Sequence, residues 1–226
     1  MKLTDRLLKI ASLVTEKTVA DIGTDHGYIP IHLLNENKVD FAILADINKG
    51  PLMNAKGEVD RNNLGEKVDL RLGSGLEVLE KGEVSEVIIA GMGGSLISKL
   101  LENKLEVSQS INKLILQPMQ SQETLRKYLL NNGFEILDEV LVKEDFRVYE
   151  IICTKYTGKN TKVDEIYYEI GQKLIENKDP LLNELIDKKI EGYKNVIIQI
   201  EDHEKMTEKL ELMKNRIDEL KNLKQG

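Results

Sequence analysis

Two hydrophobic patterns alternate along the first two-thirds of the chain. Short β-branched or apolar runs that end in turn residues predict five strands, at Thr18–Ile22, Phe41–Asp46, Val68–Leu72, 86–90 and 113–116. Segments with helical spacing lie between them, at Tyr28–Asn35, 51–63, 95–102 and Gln122–Asn131. Strands and helices that alternate at this spacing predict an α/β fold, with a parallel sheet and crossover helices on both of its faces.

The pattern changes after Gly133. Two strand-like runs follow, at 134–142 and 148–154, and the polar stretch 143–147 separates them. We interpret them as a hairpin that closes the otherwise parallel sheet with an antiparallel pair.

The last third of the chain contains no strand pattern. Residues 156–162 are polar and predict a linker, which divides the chain into domains at 1–157 and 158–226. Ile166, Ile170 and Leu174 predict one short helix that ends by Pro180. Two apolar stripes in steps of three and four follow, as in a coiled coil: Leu182, Ile186, Ile190, Tyr193, Ile197 and Ile200, then Met206, Leu210, Met213, Ile217 and Leu220. The phase breaks near 201–204, which fits either an antiparallel helix pair or a single bent helix.

Composition restricts the class of protein. With 41% hydrophobic and 31% charged residues, the chain is neither a disordered protein nor a membrane protein. Its one cysteine, Cys153, lies in an apolar run and predicts a reduced core thiol in a cytoplasmic protein. Residues 1–9 are charged and amphipathic, unlike a signal peptide. His32 and His203 are isolated, and the scattered histidines have no metal-ligand spacing, so no metal is expected.

A net charge of −7 argues against indiscriminate nucleic-acid binding, because release of phosphate counterions needs clustered cations. Any nucleic-acid site must therefore be a local patch. The candidate residues are Lys2, Arg6 and Lys9 on one helical face, Arg126 and Lys127, Lys143 and Arg147 beside the hairpin, and Lys188, Lys189 and Lys194 in the tail.

The first strand leads into a glycine-rich turn, Asp-Ile-Gly-Thr-Asp-His-Gly-Tyr, from Asp21 to Tyr28. Such a turn binds the ligand in doubly wound sheets. The dinucleotide fingerprint needs a second glycine where the pyrophosphate approaches, and Asp25 stands there between Gly23 and Gly27. This carboxylate disfavours a nicotinamide or flavin dinucleotide. It favours a cationic ligand with an amine and a sulfonium, such as S-adenosylmethionine, whose ammonium group Asp21 can hold.

The ends of the other four predicted strands fit the same reaction. Asp46 follows Gly27 by 19 positions, close to the spacing of an acid that binds ribose hydroxyls. Other residues with candidate roles at strand ends are Gly73, Ser74 and Gly75 beside an adenine, Gly91, Met92, Gly93 and Gly94 beside cofactor and substrate, and Gln117 and Pro118 beside a nucleobase. The alternatives are a plain strand-to-helix turn at 91–94 and a cap of the next helix at 117–118.

These motifs carry a family resemblance. The runs 21–28, 89–94 (Ile-Ala-Gly-Met-Gly-Gly), 114–118 (Leu-Ile-Leu-Gln-Pro) and 148–151 (Val-Tyr-Glu-Ile) resemble the bacterial tRNA (adenine(22)-N1)-methyltransferases. The resemblance covers residues 1 to about 155. It implies a Rossmann-like class I methyltransferase domain with a small C-terminal coiled-coil domain, and methyl transfer from S-adenosylmethionine to N1 of adenosine 22 of tRNA. Met119 stands where the family often has Asn.

For such a reaction Asp25 is the candidate catalytic carboxylate, because it can balance positive charge on the methylated adenine. His26 and Tyr28 can stack on the base or orient it. The alternatives are that Asp25 caps the next helix and that His26 bonds to the backbone. The substrate side is expected to include Gly94, Gln117, Pro118, Arg6 and Lys9.

Two other functions fit the residues. The chain can be a methyltransferase that acts on a small molecule or a protein, or a non-catalytic protein that binds S-adenosylmethionine and uses its coiled coil for interactions. The sequence leaves the oligomeric state open, with a monomer favoured.

Overall fold

A seven-stranded sheet forms the centre of a computed structural model, which describes residues 3–201 and 207–224. Its strands are β1 (Thr18–Ile22), β2 (Phe41–Asp46), β3 (Val68–Leu72), β4 (Glu86–Met92), β5 (Lys113–Pro118), β6 (Phe134–Glu144) and β7 (Arg147–Tyr156). The strand order is β3-β2-β1-β4-β5-β7-β6. Strands β1 to β5 are parallel, and β7 pairs antiparallel with both β5 and β6. The predicted fold class is confirmed.

Helices cover both faces of the sheet and form the C-terminal part. They are α1 (Asp5–Ser12), α2 (Tyr28–Asn35), α3 (Lys49–Arg61), α4 (Gly94–Asn103), α5 (Leu105–Ser108), α6 (Gln122–Asn131), α7 (Ile166–Glu169), α8 (Gln172–Glu176), α9 (Leu182–Glu201) and α10 (Thr207–Asn222), with 3-10 helices at Gly65–Lys67 and Gly75–Val78. None of the helices in the described ranges is long and apolar enough to cross a membrane.

Most predicted bounds agree with the structure. Strands β1 to β3 and helices α2 and α6 begin and end as predicted. Strands β4 and β5 each run two residues further than predicted, because their pairing continues through an irregularity between Ala90 and Met92 and reaches Pro118. Helix α3 begins two residues before Pro51, which lies in the first helical turn, where its missing N–H costs no hydrogen bond.

The hairpin is longer than the sequence predicts. Its ladder continues through the pairs Lys143–Val148 and Glu144–Arg147, so only Asp145 and Phe146 connect the strands. Asp145 has a φ of 54°, in the left-handed region that such a tight turn uses. The expected five-residue polar connection is therefore wrong, because backbone pairing extends through its polar residues.

Apolar side chains fill both faces of the sheet. Ile10, Leu44 and Ile88 belong to the core on one face, and Ile43 and Ile89 to the core on the other. Cys153 packs in the first of these cores, and burial raises the pKa of its thiol to about 12. The predicted core thiol is confirmed.

The short helix predicted after the linker is two helices. Helices α7 and α8 are separated at Gly171, which packs so tightly on the Glu139 carboxylate that a side chain would overlap with it. Glu139 Oε2 also accepts a hydrogen bond of 3.3 Å from the backbone N–H of Lys173. The apolar spacing of Ile166, Ile170 and Leu174 thus runs through both helices, but the contact of Gly171 with Glu139 of β6 separates α7 from α8.

Helices α9 and α10 form an antiparallel pair. Lys224 Nζ, just after α10, lies 2.9 Å from Asp187 Oδ1 near the start of α9. This contact favours the pair over one bent helix, while coiled-coil packing stays a prediction. Segment 202–206 with His203 and Met206, the side chain of Ile200, and Lys2 lie outside the described residues.

A buried arginine joins the sheet to the C-terminal helices. Arg126 of α6 is fully buried, with its Nε 2.6 Å from Glu139 Oε1 of β6 and its Nη2 2.5 Å from Glu150 Oε2 of β7. Its Nη1 donates a hydrogen bond of 3.1 Å to the backbone oxygen of Tyr168 in α7. The expected surface position of Arg126 is wrong, because two buried carboxylates bind its guanidinium.

Candidate functional site

The carboxyl ends of β1 and β4 open into a cavity of about 330 Å³, at the edge where doubly wound sheets bind ligands. Its lining residues are Arg6, Leu7, Asp21, Gly23, Thr24, Asp25, His26, Gly27, Tyr28, Ile29, Ala90 and Gly91. The sequence predicts Arg6, Gly91 and most of the first turn. Leu7, Thr24, Ile29 and Ala90 were not predicted, although each one adjoins a predicted residue.

The glycines of the first turn are required by its shape. Gly23 has a φ of 80° and lies so close to Met92 that a side chain would overlap with it. Gly27 has a φ of 66° and packs equally closely on Leu44. The backbone N–H of Gly23 donates a hydrogen bond of 2.8 Å to the oxygen of Ala45, which joins the turn to β2. The turn is therefore held against the sheet on two sides.

Asp25 lies on the rim of the cavity, and its side chain is 70% exposed. Helix α2 begins after Gly27 without a side-chain cap, so Asp25 does not cap it. Asp25 Oδ2 lies 3.5 Å from His26 Nε2, and the His26 ring stacks on Tyr28 with centroids 4.7 Å apart and an interplanar angle of 9°. An exposed carboxylate thus adjoins a pair of parallel rings.

Asp21 is the buried acid of the cavity. Burial raises its pKa to about 6, and the negative charge of Asp46 adds to the increase. A carboxylate in this setting gains most from a cationic partner, because the partner offsets the loss of hydration. Asp46 is half-buried at the end of β2, where its Oδ1 accepts a hydrogen bond of 2.7 Å from the backbone N–H of Asn48.

Gln117 is fully buried at the end of β5. Its Oε1 accepts hydrogen bonds from Arg6 Nη1 at 2.7 Å and from the backbone N–H of Gly91 at 3.2 Å, while its Nε2 donates to the Pro118 oxygen at 3.1 Å. The Arg6 guanidinium also lies 5.3 Å from the centre of the Tyr149 ring. The sequence predicts Arg6 both in a basic patch and on the substrate side. In the structure Arg6 is only 20% exposed and lines the cavity, so it does not belong to an exposed patch.

Other predicted site residues lie at the same edge without lining this cavity. The side-chain positions of Gly73, Gly75 and Gly94 are filled by Val78, Leu100 and the Ser121 backbone, respectively. These glycines are therefore needed for packing. The remaining members of this group are Ser74, Met92 and Gly93. Lys9, half-buried on α1, does not line the cavity either. Their contacts with a ligand stay predictions.

Several members of the predicted basic patch pair with neighbouring acids. Lys127 Nζ lies 3.2 Å from Glu165 Oε1, and Lys143 Nζ and Lys188 Nζ lie 2.9 and 3.1 Å from the oxygens of Glu184. No arrangement of three or more His, Cys, Asp or Glu side chains suited to a metal occurs within the described ranges.

Comparison with known proteins identifies relatives that match nearly the whole chain. A methyltransferase domain family matches residues 3–152. The tRNA (adenine(22)-N(1))-methyltransferase of Bacillus subtilis (strain 168) is 31% identical, and the match covers 98% of this chain and 96% of that protein.

Two solved structures have the same fold over their full length. The B. subtilis m1A22 tRNA methyltransferase TrmK is 29% identical with a TM-score of 0.87, and the match covers 98% of both chains. M. capricolum TrmK, in complex with the cofactor product S-adenosyl-homocysteine, is 29% identical with a TM-score of 0.84 over 98% of this chain and 97% of that chain. The similarity extends through the C-terminal helices, which the domain family does not cover. The chain therefore belongs to the tRNA (adenine(22)-N1)-methyltransferase family.

Proposed function

We propose that this protein transfers a methyl group from S-adenosylmethionine to N1 of adenosine 22 in tRNA. The observation that carries the proposal is the match to the B. subtilis tRNA (adenine(22)-N(1))-methyltransferase along 98% of the chain. A similarity that includes the C-terminal helices favours tRNA over a small molecule or a protein as the substrate.

Residues in the cavity and beside it fit this cofactor. Asp21 offers a buried carboxylate to the ammonium group, and Asp46 ends β2 where the acid that binds ribose is expected. No heavy atom lies within 4 Å of the position that a side chain on Gly91 would occupy, so a ligand can approach the backbone there. When bound, S-adenosylmethionine supplies an electrophilic methyl group on its sulfonium.

The rim of the cavity fits the adenine. Methylation at N1 leaves a positive charge on the base, and Asp25 can balance this charge or accept a hydrogen bond from the exocyclic amine. The side chain of Asp25 is free to do so, because it does not cap α2. We assign the stacked rings of His26 and Tyr28 to orienting the base, which must leave its stack to be methylated.

We place the target base beside the carboxyl end of β5, next to the cavity. The oxygen of the Gln117 amide is occupied by Arg6 and Gly91, so the amide is held in one orientation. We propose that Gln117 and Pro118 border the target base and that Arg6 holds Gln117 in place. Gly94 and Lys9 do not line the cavity and are assigned to the substrate side on sequence grounds.

We place the boundary between the two parts of the chain at 157/158. The C-terminal helices have an apolar cluster of their own, which includes Ile170, Ile186 and Leu220, and Leu141 of β6 joins it. The N-terminal part would then carry out the methyl transfer, while the C-terminal helices help to bind the tRNA. We expect the protein to act in the cytoplasm.

The direct test is methylation of an unmodified tRNA transcript with methyl-labelled S-adenosylmethionine. The expected product is N1-methyladenosine at position 22, identified in a nuclease digest and located by the stop it causes in reverse transcription. A transcript with guanosine at position 22 is the control and should stay unlabelled. Binding of the cofactor without label in tRNA would reject the proposed substrate and retain the cofactor.

A further inference from the structure

We propose that the tip of the β6–β7 hairpin is a second contact site for the RNA, where Phe146 stacks on an unpaired base and Arg147 binds the backbone phosphate. This inference rests on the proposed function, because it names the surface that holds the nucleotides next to the methylated adenosine.

The Phe146 side chain is exposed in a way that folding does not explain. It is 76% exposed, at one of the two turn residues of the hairpin. Lys188 Nζ of α9 donates a hydrogen bond of 2.7 Å to the backbone oxygen of Phe146, so the turn is tied to the C-terminal helices. The hairpin pairing and Lys188 thus hold the backbone of the tip in place, while the exposed Phe146 ring can contact a ligand.

The groove beside Phe146 has a charge that suits RNA. It measures about 630 Å³ and is lined by Met119, Gln120, Gln122, Phe146, Arg147, Val148, Tyr149 and Lys188, which include two cations and no carboxylate. Four further cavities in the described residues each include at least two carboxylates. In a chain of net charge −7, this groove is suited to a phosphate.

Arg147 supplies the cation that is available for a phosphate. Its guanidinium lies 5.4 Å from the centre of the Phe146 ring. Lys188 is less available, because Glu184 and the Phe146 oxygen already contact its ammonium group. An aromatic ring with a guanidinium beside it is the combination that binds single-stranded nucleic acid through stacking and charge.

The groove is continuous with the catalytic edge. Tyr149 lines the groove and also lies under the Arg6 guanidinium, which lines the first cavity. Met119 lines it too, and its sulfur lies 3.6 Å from Gln117 Nε2. A base stacked on Phe146 would therefore belong to a nucleotide close to the target adenosine.

The test compares binding of a tRNA transcript by the full chain and by three variants. Phe146→Leu keeps an apolar side chain without an aromatic face, Phe146→Tyr keeps the ring, and Arg147→Gln removes the cation. Lys38→Gln is the matched control for charge, because Lys38 is exposed just before β2, at the edge of the sheet opposite the site. Binding of S-adenosylmethionine is measured in parallel and should not change.

We expect Phe146→Leu to weaken tRNA binding about tenfold, and Phe146→Tyr and Lys38→Gln to bind like the wild type. Arg147→Gln should weaken binding and reduce the slope of log affinity against log salt by about 1. Wild-type affinity of Phe146→Leu for tRNA would overturn the stacking site, and this is the result expected if the surface binds a protein partner instead. Weakening of tRNA binding in Phe146→Tyr to the same extent as in Phe146→Leu would overturn it too. A wild-type protein that does not bind tRNA would reject the proposed function and this site together.

Discussion

Arg6 Nη1 and Gln117 Oε1 form a hydrogen bond of 2.7 Å between α1 and the carboxyl end of β5, across 111 positions of sequence. The same oxygen accepts the N–H of Gly91 from β4. Three separate elements therefore fix one buried amide at the edge of the cavity. Helix α1 is thereby part of the site, although it precedes the first strand of the sheet.

Replacing Arg6 tests this positioning. In Arg6→Lys a single ammonium replaces the planar guanidinium that contacts both Gln117 and the Tyr149 ring, so we expect the kcat for tRNA methylation to fall at least tenfold. The KM for tRNA and the dissociation constant of S-adenosylmethionine should change by less than about threefold, because lysine keeps the positive charge at this position of the cavity. Steady-state kinetics and calorimetry provide these values.

Arg61→Lys on the exposed face of α3 serves as the control and should keep wild-type kinetics. A wild-type kcat in Arg6→Lys would show that the hydrogen bond to Gln117 has no part in the reaction.

Asp25→Asn removes the negative charge at the rim and nearly retains its shape. We expect the kcat to fall by about 10² to 10⁴-fold, as for loss of a general acid or base. The midpoint of thermal unfolding should stay within about 1 °C of the wild type, because Asp25 is exposed and caps no helix. Asp40→Asn, an equally exposed acid just before β2, is the control and should remain active. Wild-type activity of Asp25→Asn would show that Asp25 does not have the proposed role and that another residue must fill it.

The pKa of Asp21 predicts a dependence of stability on pH. The value is raised from 3.8 to about 6, so the folded protein holds this proton where the unfolded chain releases it. The free energy of unfolding should therefore fall as the pH rises from 4 to 7, by up to about 3 kcal/mol from this group. Urea unfolding of the ligand-free protein at a series of pH values measures the change.

Asp21→Asn is the comparison. This variant lacks the pH-dependent contribution of Asp21 to the free energy of unfolding. The difference in the free energy of unfolding, variant minus wild type, should therefore increase between pH 4 and pH 7. It should also bind S-adenosylmethionine more weakly at pH 7, where the wild-type carboxylate is ionised. Parallel stability curves for the two proteins would contradict the raised pKa.

Arg126→Met leaves Glu139 and Glu150 buried without their shared cation. We expect this to lower the free energy of unfolding by about 3 to 5 kcal/mol, which urea denaturation can measure. The triple variant with Glu139→Gln and Glu150→Gln should recover part of the loss, because it leaves no uncompensated buried charge. Equal stability of the single and triple variants would show that burial of the carboxylates is not the cause.

The sheet was predictable because its strands end abruptly in turn residues, as β1 does at Gly23. Other features depend on partners that are distant in sequence. From the sequence alone, Arg126 is expected at the surface, because the carboxylates that bind it in the structure, Glu139 and Glu150, lie 13 and 24 positions away along the chain. One signal was available, because Arg126 precedes Leu129 and Leu130 by three and four residues and so lies on the apolar face of α6.

The site was predictable to a similar extent. Asp21, Asp25 and Gly27 could be identified because their turn follows a strand directly. The inward direction of Arg6 could not, because it depends on how α1 packs against α2 and β6 and on the positions of Gln117 in β5 and Tyr149 in β7. Residue type and spacing locate a turn, whereas contacts between distant elements determine which side chains enter the cavity.

Because Cys153 is buried, a cysteine introduced elsewhere in the protein can be labelled selectively. A thiol with a pKa of about 12 has roughly one molecule in 10⁵ as reactive thiolate at pH 7, and Cys153 is the one cysteine in the sequence. A cysteine introduced at an exposed position would therefore react with maleimide dyes or spin labels almost alone. The wild-type chain can serve directly as the background for fluorescence or distance measurements, without prior removal of its own cysteine.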